Sequence, residues 1–210
     1  MLQISRRFPG RWLQGYVRGK LKSDPVYAGV AGQIGATPAP VLDIGCGIGL
    51  FAQYLHAIGR RGDYLGIDVD AHKLGIAQQA APEGREIKFE LRSCESLPAW
   101  QGHVVILDTL HYLDAATQQK LLRDAAQRVA PGAVLVIRSV LRDASWRFWI
   151  TRFEEFFMHA VRWMPRGALH YPALEELRAP LAGAGLTVEV TPLWGGTPFN
   201  SYLVVARRAA

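Results

Sequence analysis

The chain has 210 residues, half of them hydrophobic and a fifth charged, with a formal net charge of +6 at pH 7. This length fits one domain with a sizeable core, and the composition excludes a disordered or fibrous protein. No apolar run reaches the roughly 18 residues of a membrane-spanning helix, and no apolar stretch follows the early arginines as in a signal peptide. The two cysteines, Cys46 and Cys94, lack the spacing of a disulfide framework and are expected to be reduced thiols of a cytosolic enzyme.

The positive charge is concentrated in residues 1–22, which we treat as a basic N-terminal arm on a single domain, residues 23–210. The arm has six basic residues and no acidic one, whereas the rest of the chain has 18 of each. Interleaved with Phe8, Trp12 and Tyr16, these charges suit an anionic lipid surface, an acidic protein or nucleic acid. The alternative is a solvated, poorly ordered terminus that packs only its aromatic residues.

Ser23-Asp24-Pro25 predicts the start of a helix that runs to about Ile34. The most informative pattern follows it. The apolar run Val41–Ile44 predicts a buried strand, and glycines at 45, 47 and 49 precede a helix that opens at Leu50. Such a strand, glycine-rich turn and helix N-terminus present backbone N–H groups to a ligand. The dinucleotide-binding pattern G-x-G-x-x-G/A would need glycine or alanine at position 50, so leucine there disfavours an NAD-dependent oxidoreductase.

With Asp43, the segment reads D-x-G-x-G-x-G. It resembles the first motif of class I S-adenosylmethionine-dependent methyltransferases, and later motifs fall where that family would place them, over roughly residues 24–140. The resemblance implies S-adenosylmethionine as the cofactor, with Asp43 holding the glycine loop and contacting the methionine ammonium. It also implies an α/β, Rossmann-like three-layer sandwich. Its mostly parallel seven-stranded sheet would have the order 3-2-1-4-5-7-6 and a closing antiparallel hairpin.

Residues 64–67 predict a second strand that ends in Asp68-Val69-Asp70. An acid at this point, about 20 residues past the glycines, is placed to accept hydrogen bonds from ribose hydroxyls. The resemblance gives the same role to Asp68. Asp70 is better interpreted as the N-cap of a helix over residues 71–80.

Residues 87–91 and 104–107 predict strands three and four. Ser93-Cys94 stands where many members of the family carry an acid that accepts the adenine amino group, and a hydroxyl should bind it more weakly. Strand four leads to Asp108, where the family places the floor between the methionine end of the cofactor and the acceptor. The predicted cofactor-binding residues are Asp43, Gly45, Cys46, Gly47, Gly49, Asp68, Val69, Ser93, Cys94 and Asp108.

Asp114 predicts the cap of a helix to about residue 130, and residues 133–137 predict strand five. Apolar residues at spacings of three and four then predict an amphipathic, strongly aromatic helix over residues 143–164, which Pro165-Arg166-Gly167 ends. A core helix is the default interpretation. We favour a lid inserted at about 143–166, with Trp146, Trp149 and Phe153 contacting an apolar acceptor. A helix at 171–184 and strands at 186–191 and 200–206 complete the fold.

Methyl transfer from a sulfonium is an in-line displacement in which the donor already carries the activating charge. It needs no metal, and the six histidines show no metal-ligand spacing. For a phenol, hydroxyl or phenolate-activated carbon acceptor, His111 after strand four is the candidate base. The alternative is that it bonds backbone or contacts the methionine end of the cofactor.

The leading hypothesis is a methyltransferase for a small apolar, aromatic or acyl-linked acceptor. Helix 143–164 and the Gly-Thr-Pro-Phe-Asn loop before the last strand are similar to small methyltransferases of lipid or aryl-polyene pigment pathways. The acceptor is then free or carrier-tethered, and the arm docks on an acidic carrier protein or an anionic membrane. The protein is expected in the cytoplasm, peripheral to the inner face of the membrane.

Two alternatives remain. An RNA or protein methyltransferase would grip phosphates with the arm, but no N-P-P-Y-type tetrad follows strand four, so no nucleic-acid partner is expected. The second alternative is a non-catalytic protein that binds the cofactor and acts as a partner subunit of another enzyme.

Overall fold

The computed structural model describes residues 2–82, 87–160, 167–195 and 198–208, without the side chains of residues 154–160. Residues 161–166 of the predicted lid, including the predicted stop at Pro165 and Arg166, lie outside the described residues. So do residues 196–197 of the loop before the last strand.

Helices and strands alternate through most of the described chain. The strands are β1 (Val41–Ile44), β2 (Tyr64–Asp68), β3 (Ile87–Leu91), β4 (His103–Leu107), β5 (Val134–Val140), β6 (Leu186–Pro192) and β7 (Ser201–Arg208). The helices are α1 (Leu2–Ser5), α2 (Arg11–Ser23), α3 (Val26–Ile34), α4 (Leu50–Ala57), α5 (Ala71–Ala80), α6 (Ala115–Ala126), α7 (Trp146–Ala160) and α8 (Leu174–Gly183), and a 3-10 turn spans Leu110–Tyr112.

The strands form one sheet in the order β3-β2-β1-β4-β5-β7-β6, which confirms the predicted order. The strands β1 to β5 pair in parallel, whereas β7 runs antiparallel to both β5 and β6. The inner parallel strands are covered by helices on both faces, which is why a segment such as β4 is a nearly continuous apolar run. Strand β5 extends beyond its predicted end because Val140 pairs with Ser201 of β7.

Two hydrophobic clusters fill the faces of the sheet, and side chains alternate between them along each strand. Val41 faces the cluster formed with α1 to α5, and Leu42 faces the cluster formed with α6 and α8. This alternation follows from the two-residue period of a strand. The protein is therefore the predicted three-layer sandwich.

The basic arm contributes to the first of these clusters. It contains α1 and α2, and four of its apolar side chains are buried in the core: Ile4, Phe8, Val17 and Leu21. Burying a side chain such as Phe8 contributes roughly 1.5 to 3 kcal/mol. Four of the six basic residues of the arm therefore lie on α2, and Arg6 and Arg7 lie in the turn after α1, all on a segment that packs against the domain.

Two predicted helix caps are confirmed. The Asp70 carboxylate accepts hydrogen bonds from the N–H groups of His72 and Lys73, and Asp114 accepts one from Thr117. Because these bonds stabilise the charged form, the pKa of Asp70 lies below its ordinary value.

Helix α7 presents its aromatic stripe to solvent. Trp146, Trp149 and Phe153 are exposed, whereas Phe148 and Thr151 are buried. Thr151 anchors the helix because its hydroxyl accepts the N–H of Asn200 at 2.9 Å. The amphipathic pattern predicted the helix correctly, but the side that meets the protein is the one that carries Phe148.

Candidate active site

The candidate site lies at the carboxyl edge of the sheet, where the chain leaves β1. Strand β1 lies between β2 and β4, so the connections on its two sides run in opposite directions. Ligands of open α/β sheets bind in the crevice at such a switch point. The loop after β1 is held there because Gly45 and Cys46 donate their N–H groups to the Ile67 carbonyl at 2.8 and 3.1 Å.

The glycines of this loop have different roles. Gly45, with φ +78°, lies against Thr109, and a Cβ there would come within 2.2 Å of the Thr109 hydroxyl oxygen. Gly49, with φ +71°, lies similarly close to Phe89. Gly47, with φ +54°, has no heavy atom of the described residues within 4 Å of the place where a Cβ would stand. Gly45 and Gly49 are therefore needed by the fold, whereas Gly47 leaves open space for a ligand.

Asp68 is aligned by the glycine loop. One carboxylate oxygen accepts the N–H of Gly47 at 2.8 Å, and the other accepts the N–H of Asp70 at 2.9 Å. Each oxygen has a second lone pair, so the carboxylate can also accept hydrogen bonds from the two hydroxyls of a ribose. The structure thus joins Asp68 and Gly47, which are 21 residues apart in sequence.

Asp43 lies beneath the loop and is almost wholly buried. The Tyr64 hydroxyl donates to one of its oxygens, and the other has no hydrogen-bond partner among the described residues. Burial raises the pKa of Asp43 to about 7, despite the opposing effect of the Tyr64 hydrogen bond, and the nearby Asp68 adds to the rise. A cation brought to this carboxylate would favour its charged form.

A cleft of about 370 Å³ extends from the glycine loop to helix α2. This volume lies within the range of small-molecule sites. It is lined by Trp12, Leu13, Tyr16, Lys20, Val26, Tyr27, Asp43, Gly45, Cys46, Gly47, Ile48, Leu50, Phe51, Lys73, Leu107 and Asp108. The arm therefore forms one wall of the site.

Sequence reasoning missed this wall. Trp12, Tyr16 and Lys20 recur at intervals of four residues, which places them on one face of a helix. That spacing was visible, but it does not show which part of the protein the face would meet. The rings of Trp12 and Tyr16 stack with their centroids 6.0 Å apart.

Four charged side chains meet at the β4 end of the cleft. Lys20 lies 3.4 Å from Asp24 and 3.7 Å from Asp108. Arg138 pairs with the same two carboxylates. Burial alone would raise the pKa of Asp108, but the charges of Arg138 and Lys20 hold it below its ordinary value. Asp108 has φ 55°, a left-handed backbone conformation of the kind that clusters at functional sites.

Three further residues of the predicted cofactor site, Val69, Ser93 and Cys94, lie beyond this cleft, after the ends of β2 and β3. Val69 is 63% exposed, and Cys94 is half-buried with a thiol pKa raised by burial. The Ser93 hydroxyl accepts the N–H of Glu95 at 3.2 Å. The structure places these three side chains on the Asp68 side of the site, and their contacts with a nucleoside stay predictions.

His111 is 4% exposed and is not among the residues that line the cleft. Its ring stacks on Tyr171 at 6.1 Å and packs against Tyr112 at 4.1 Å. Burial lowers its pKa, although the negative charge of Asp108 opposes the shift, so the neutral imidazole is the favoured form at pH 7. A neutral imidazole can accept a proton, and the base role stays a prediction.

The predicted acceptor residues of α7 also lie away from the cleft lining. Trp146, Trp149 and Phe153 point outward in the structure, and their contact with an acceptor stays a prediction.

The sequence of the chain is similar to those of methyltransferases. Residues 41–132 match a family model described as a methyltransferase domain. The ubiquinone biosynthesis O-methyltransferase of Sinorhizobium fredii is 29% identical over 153 residues, which is 70% of this chain and 60% of that protein. The chain thus spans about 60% of the length of the first curated relatives that it matches.

Solved structures share the fold across nearly the whole chain. A Haloferax volcanii putative methyltransferase in complex with the Trm112 methyltransferase activator has a TM-score of 0.72 at 16% identity, covering 93% of both chains. Magnesium protoporphyrin IX methyltransferase from Synechocystis, with bound S-adenosylhomocysteine, has a TM-score of 0.69 at 17% identity, covering 96% of this chain and 89% of that one. At these identities, the likeness establishes the fold alone.

Proposed function

We propose that this chain, whose residues 41–132 match a methyltransferase-domain model, is an S-adenosylmethionine-dependent methyltransferase that acts on a small apolar, aromatic or acyl-linked acceptor. The match of residues 41–132 to a methyltransferase-domain model and the methyltransferase names of the relatives support the predicted enzyme class and its cofactor. We infer an apolar acceptor because Trp12, Tyr16 and Leu107 line the same cleft as the glycine loop. The ubiquinone O-methyltransferase name of the relatives supports a small-molecule acceptor.

The residues present fit the cofactor. Asp68, which accepts the Gly47 N–H, would bind its ribose, and the open space at Gly47 would admit it to the loop. The buried Asp43 would supply a negative charge for the methionine ammonium. When bound, S-adenosylmethionine supplies a methyl group activated by the positive sulfonium. The protein holds donor and acceptor in line and keeps water out, and the aromatic wall of α2 serves both purposes.

The direct test combines calorimetric titration with S-adenosylhomocysteine and a methyl-transfer assay on phenolic and carrier-linked acceptors. Micromolar binding with methylation of an aromatic or acyl-linked compound is the expected result. Binding without methylation of any acceptor class would favour a non-catalytic partner subunit. Methylation of RNA or protein instead would overturn the proposed acceptor.

Cofactor affinity should depend on the charge of Asp43. The methionine ammonium favours the ionised carboxylate, so affinity is expected to rise as pH increases through the pKa of about 7 and to level off above it. Between about pH 8 and pH 6 the ionised fraction falls roughly tenfold, and the affinity should fall by a similar factor. Calorimetry at several pH values checks this. Asp43→Asn should bind weakly with a flat profile, and an equally flat wild-type profile would contradict the role.

His111→Ala should lower kcat by roughly 100-fold or more if His111 is the base for a hydroxyl acceptor, because general bases contribute about 10²- to 10⁴-fold. Its affinity for S-adenosylhomocysteine should stay within about twofold of wild type. Because His111 is buried, Tyr171→Phe, which keeps the ring against His111, serves as the packing control. Lost cofactor binding with normal turnover at saturation would place His111 at the cofactor instead.

A further inference from the structure

The outer face of α7 is a row of large apolar side chains. Trp146, Trp149, Ile150 and Phe153 follow one another at helical spacing, and they are 60%, 62%, 38% and 73% exposed. Scattered apolar residues are common on protein surfaces, but contiguous exposed ones mark interaction sites. The described residues of the chain do not cover this row.

Arginines accompany these tryptophans. The Arg147 guanidinium lies 4.8 Å from the ring centroid of Trp146 and 4.4 Å from that of Trp194. Arg152 lies 5.6 Å from the ring of Trp149. Tryptophan has an apolar body and a polar N–H, and it is enriched where hydrocarbon meets water. An arginine beside it can bind a phosphate of a lipid headgroup.

Helix α2 carries a second surface of the same kind. Trp12 and Tyr16 are 60% and 42% exposed, although they also line the cleft. The exposed basic residues around them are Arg6, Arg7, Arg11, Arg18 and Lys22. The arm has no acidic residue, so these exposed side chains give this surface a net positive charge.

The two surfaces lie at the same edge of the molecule. On the α7 side, Arg147 stacks on Trp194. The next residue, Gly195, packs against Pro25 just after the end of α2, where an added Cβ would lie 3.2 Å from the proline ring. Lys20 of α2 reaches Asp108 at the carboxyl end of β4. The aromatic faces of α2 and α7 therefore flank the carboxyl edge, where the cleft opens.

We propose that these two faces dock the protein on an anionic lipid bilayer with the mouth of the cleft toward the membrane. The rings enter the headgroup region, and the basic residues bind lipid phosphates. The charge of the arm and the pairing of tryptophan with arginine favour this partner. In the part of the chain that the structure describes, no helix has the length and apolar character to span a membrane. This docking is independent of the acceptor that is methylated.

The test is flotation of the full chain with vesicles of phosphatidylcholine, with and without phosphatidylglycerol. Wild type should float with the anionic vesicles only, and less at high salt. A Trp149→Ser/Phe153→Ser variant and an Arg11→Gln/Arg18→Gln variant should each bind at least tenfold more weakly. These side chains are exposed, so the melting temperature should hardly change.

Ile58→Ser is the matched control. Ile58 is also exposed, at 53%. Helix α4 begins at the cleft with Leu50 and runs away from it, so Ile58, which follows its last residue, lies toward the opposite edge of the sheet. This variant should float as wild type does. The proposal is overturned if wild type does not bind anionic vesicles, or if the α7 variant binds them as wild type does. Binding to an acidic acyl carrier protein without vesicle binding would identify the other partner class.

Discussion

Asp68→Ala is expected to weaken the binding of S-adenosylhomocysteine more than any other substitution in the site. Hydrogen bonds to a charged group contribute about 1.5 to 3 kcal/mol each, so losing two bonds to ribose hydroxyls should weaken binding roughly 100-fold or more. The variant also loses the acceptor for the Gly47 N–H, which holds the loop in its binding conformation. Isothermal titration calorimetry measures the loss directly.

Asp70→Ala is the control because Asp70 is a carboxylate only two residues away. Its oxygens bond the backbone at the start of α5, so the substitution should cost about 1 kcal/mol of stability. That corresponds to about 2 to 4 °C in Tm for a chain of this size, with affinity nearly unchanged. Equal loss of binding in both variants, or in neither, would contradict the assignment of Asp68.

Gly45→Ala is expected to destabilise the fold, and Gly47→Ala to lose the cofactor while staying folded. The alanine Cβ at position 45 would stand 2.2 Å from the Thr109 hydroxyl oxygen, on a backbone with φ +78°. Thr109 cannot easily move, because its hydroxyl donates to the carbonyls of Ile44 and Leu107. The free energy of unfolding should therefore fall by about 1 to 3 kcal/mol from overpacking and by about 1 to 2 kcal/mol more from the left-handed backbone.

At position 47, the alanine meets no atom of the described residues, so only the strain of about 1 to 2 kcal/mol remains. Its methyl group would occupy ligand space, and affinity should fall at least tenfold. Thermal unfolding and calorimetry on both variants separate the two effects. The Gly45→Ala/Thr109→Ala double variant should regain part of the stability. An unchanged affinity in Gly47→Ala would show that the ligand does not approach this glycine.

The local features of the site could be predicted because each depends on neighbours in sequence. A tight turn requires glycines after Ile44, and a carboxylate before a helix caps its N–H groups, as Asp70 does. The strand order was predicted through the family resemblance. Periodicity alone identified the strands, but a parallel sheet pairs segments far apart in sequence, and no local pattern specifies that pairing.

Two features could not be predicted because they depend on what lies across space. The Trp12, Tyr16 and Lys20 face was readable as a helix face, but only packing of Phe8 and Val17 into the core places it over the cleft. Likewise, the stripe on α7 predicted a helix, but the anchoring of Thr151 by Asn200 turned Trp149 outward.

The sequence by itself determined the glycine-rich turn and the two helix caps, because short-range sterics and hydrogen bonding dictate these residue types at these spacings. Only the tertiary structure decided that the basic arm forms a wall of the site, that His111 is buried behind that site, and that the aromatic face of α7 meets solvent. The physical reason is that an apolar side chain gains the same free energy from any apolar surface that buries it. A pattern therefore shows that a helix has an apolar face, and long-range packing decides whether and by what that face is covered.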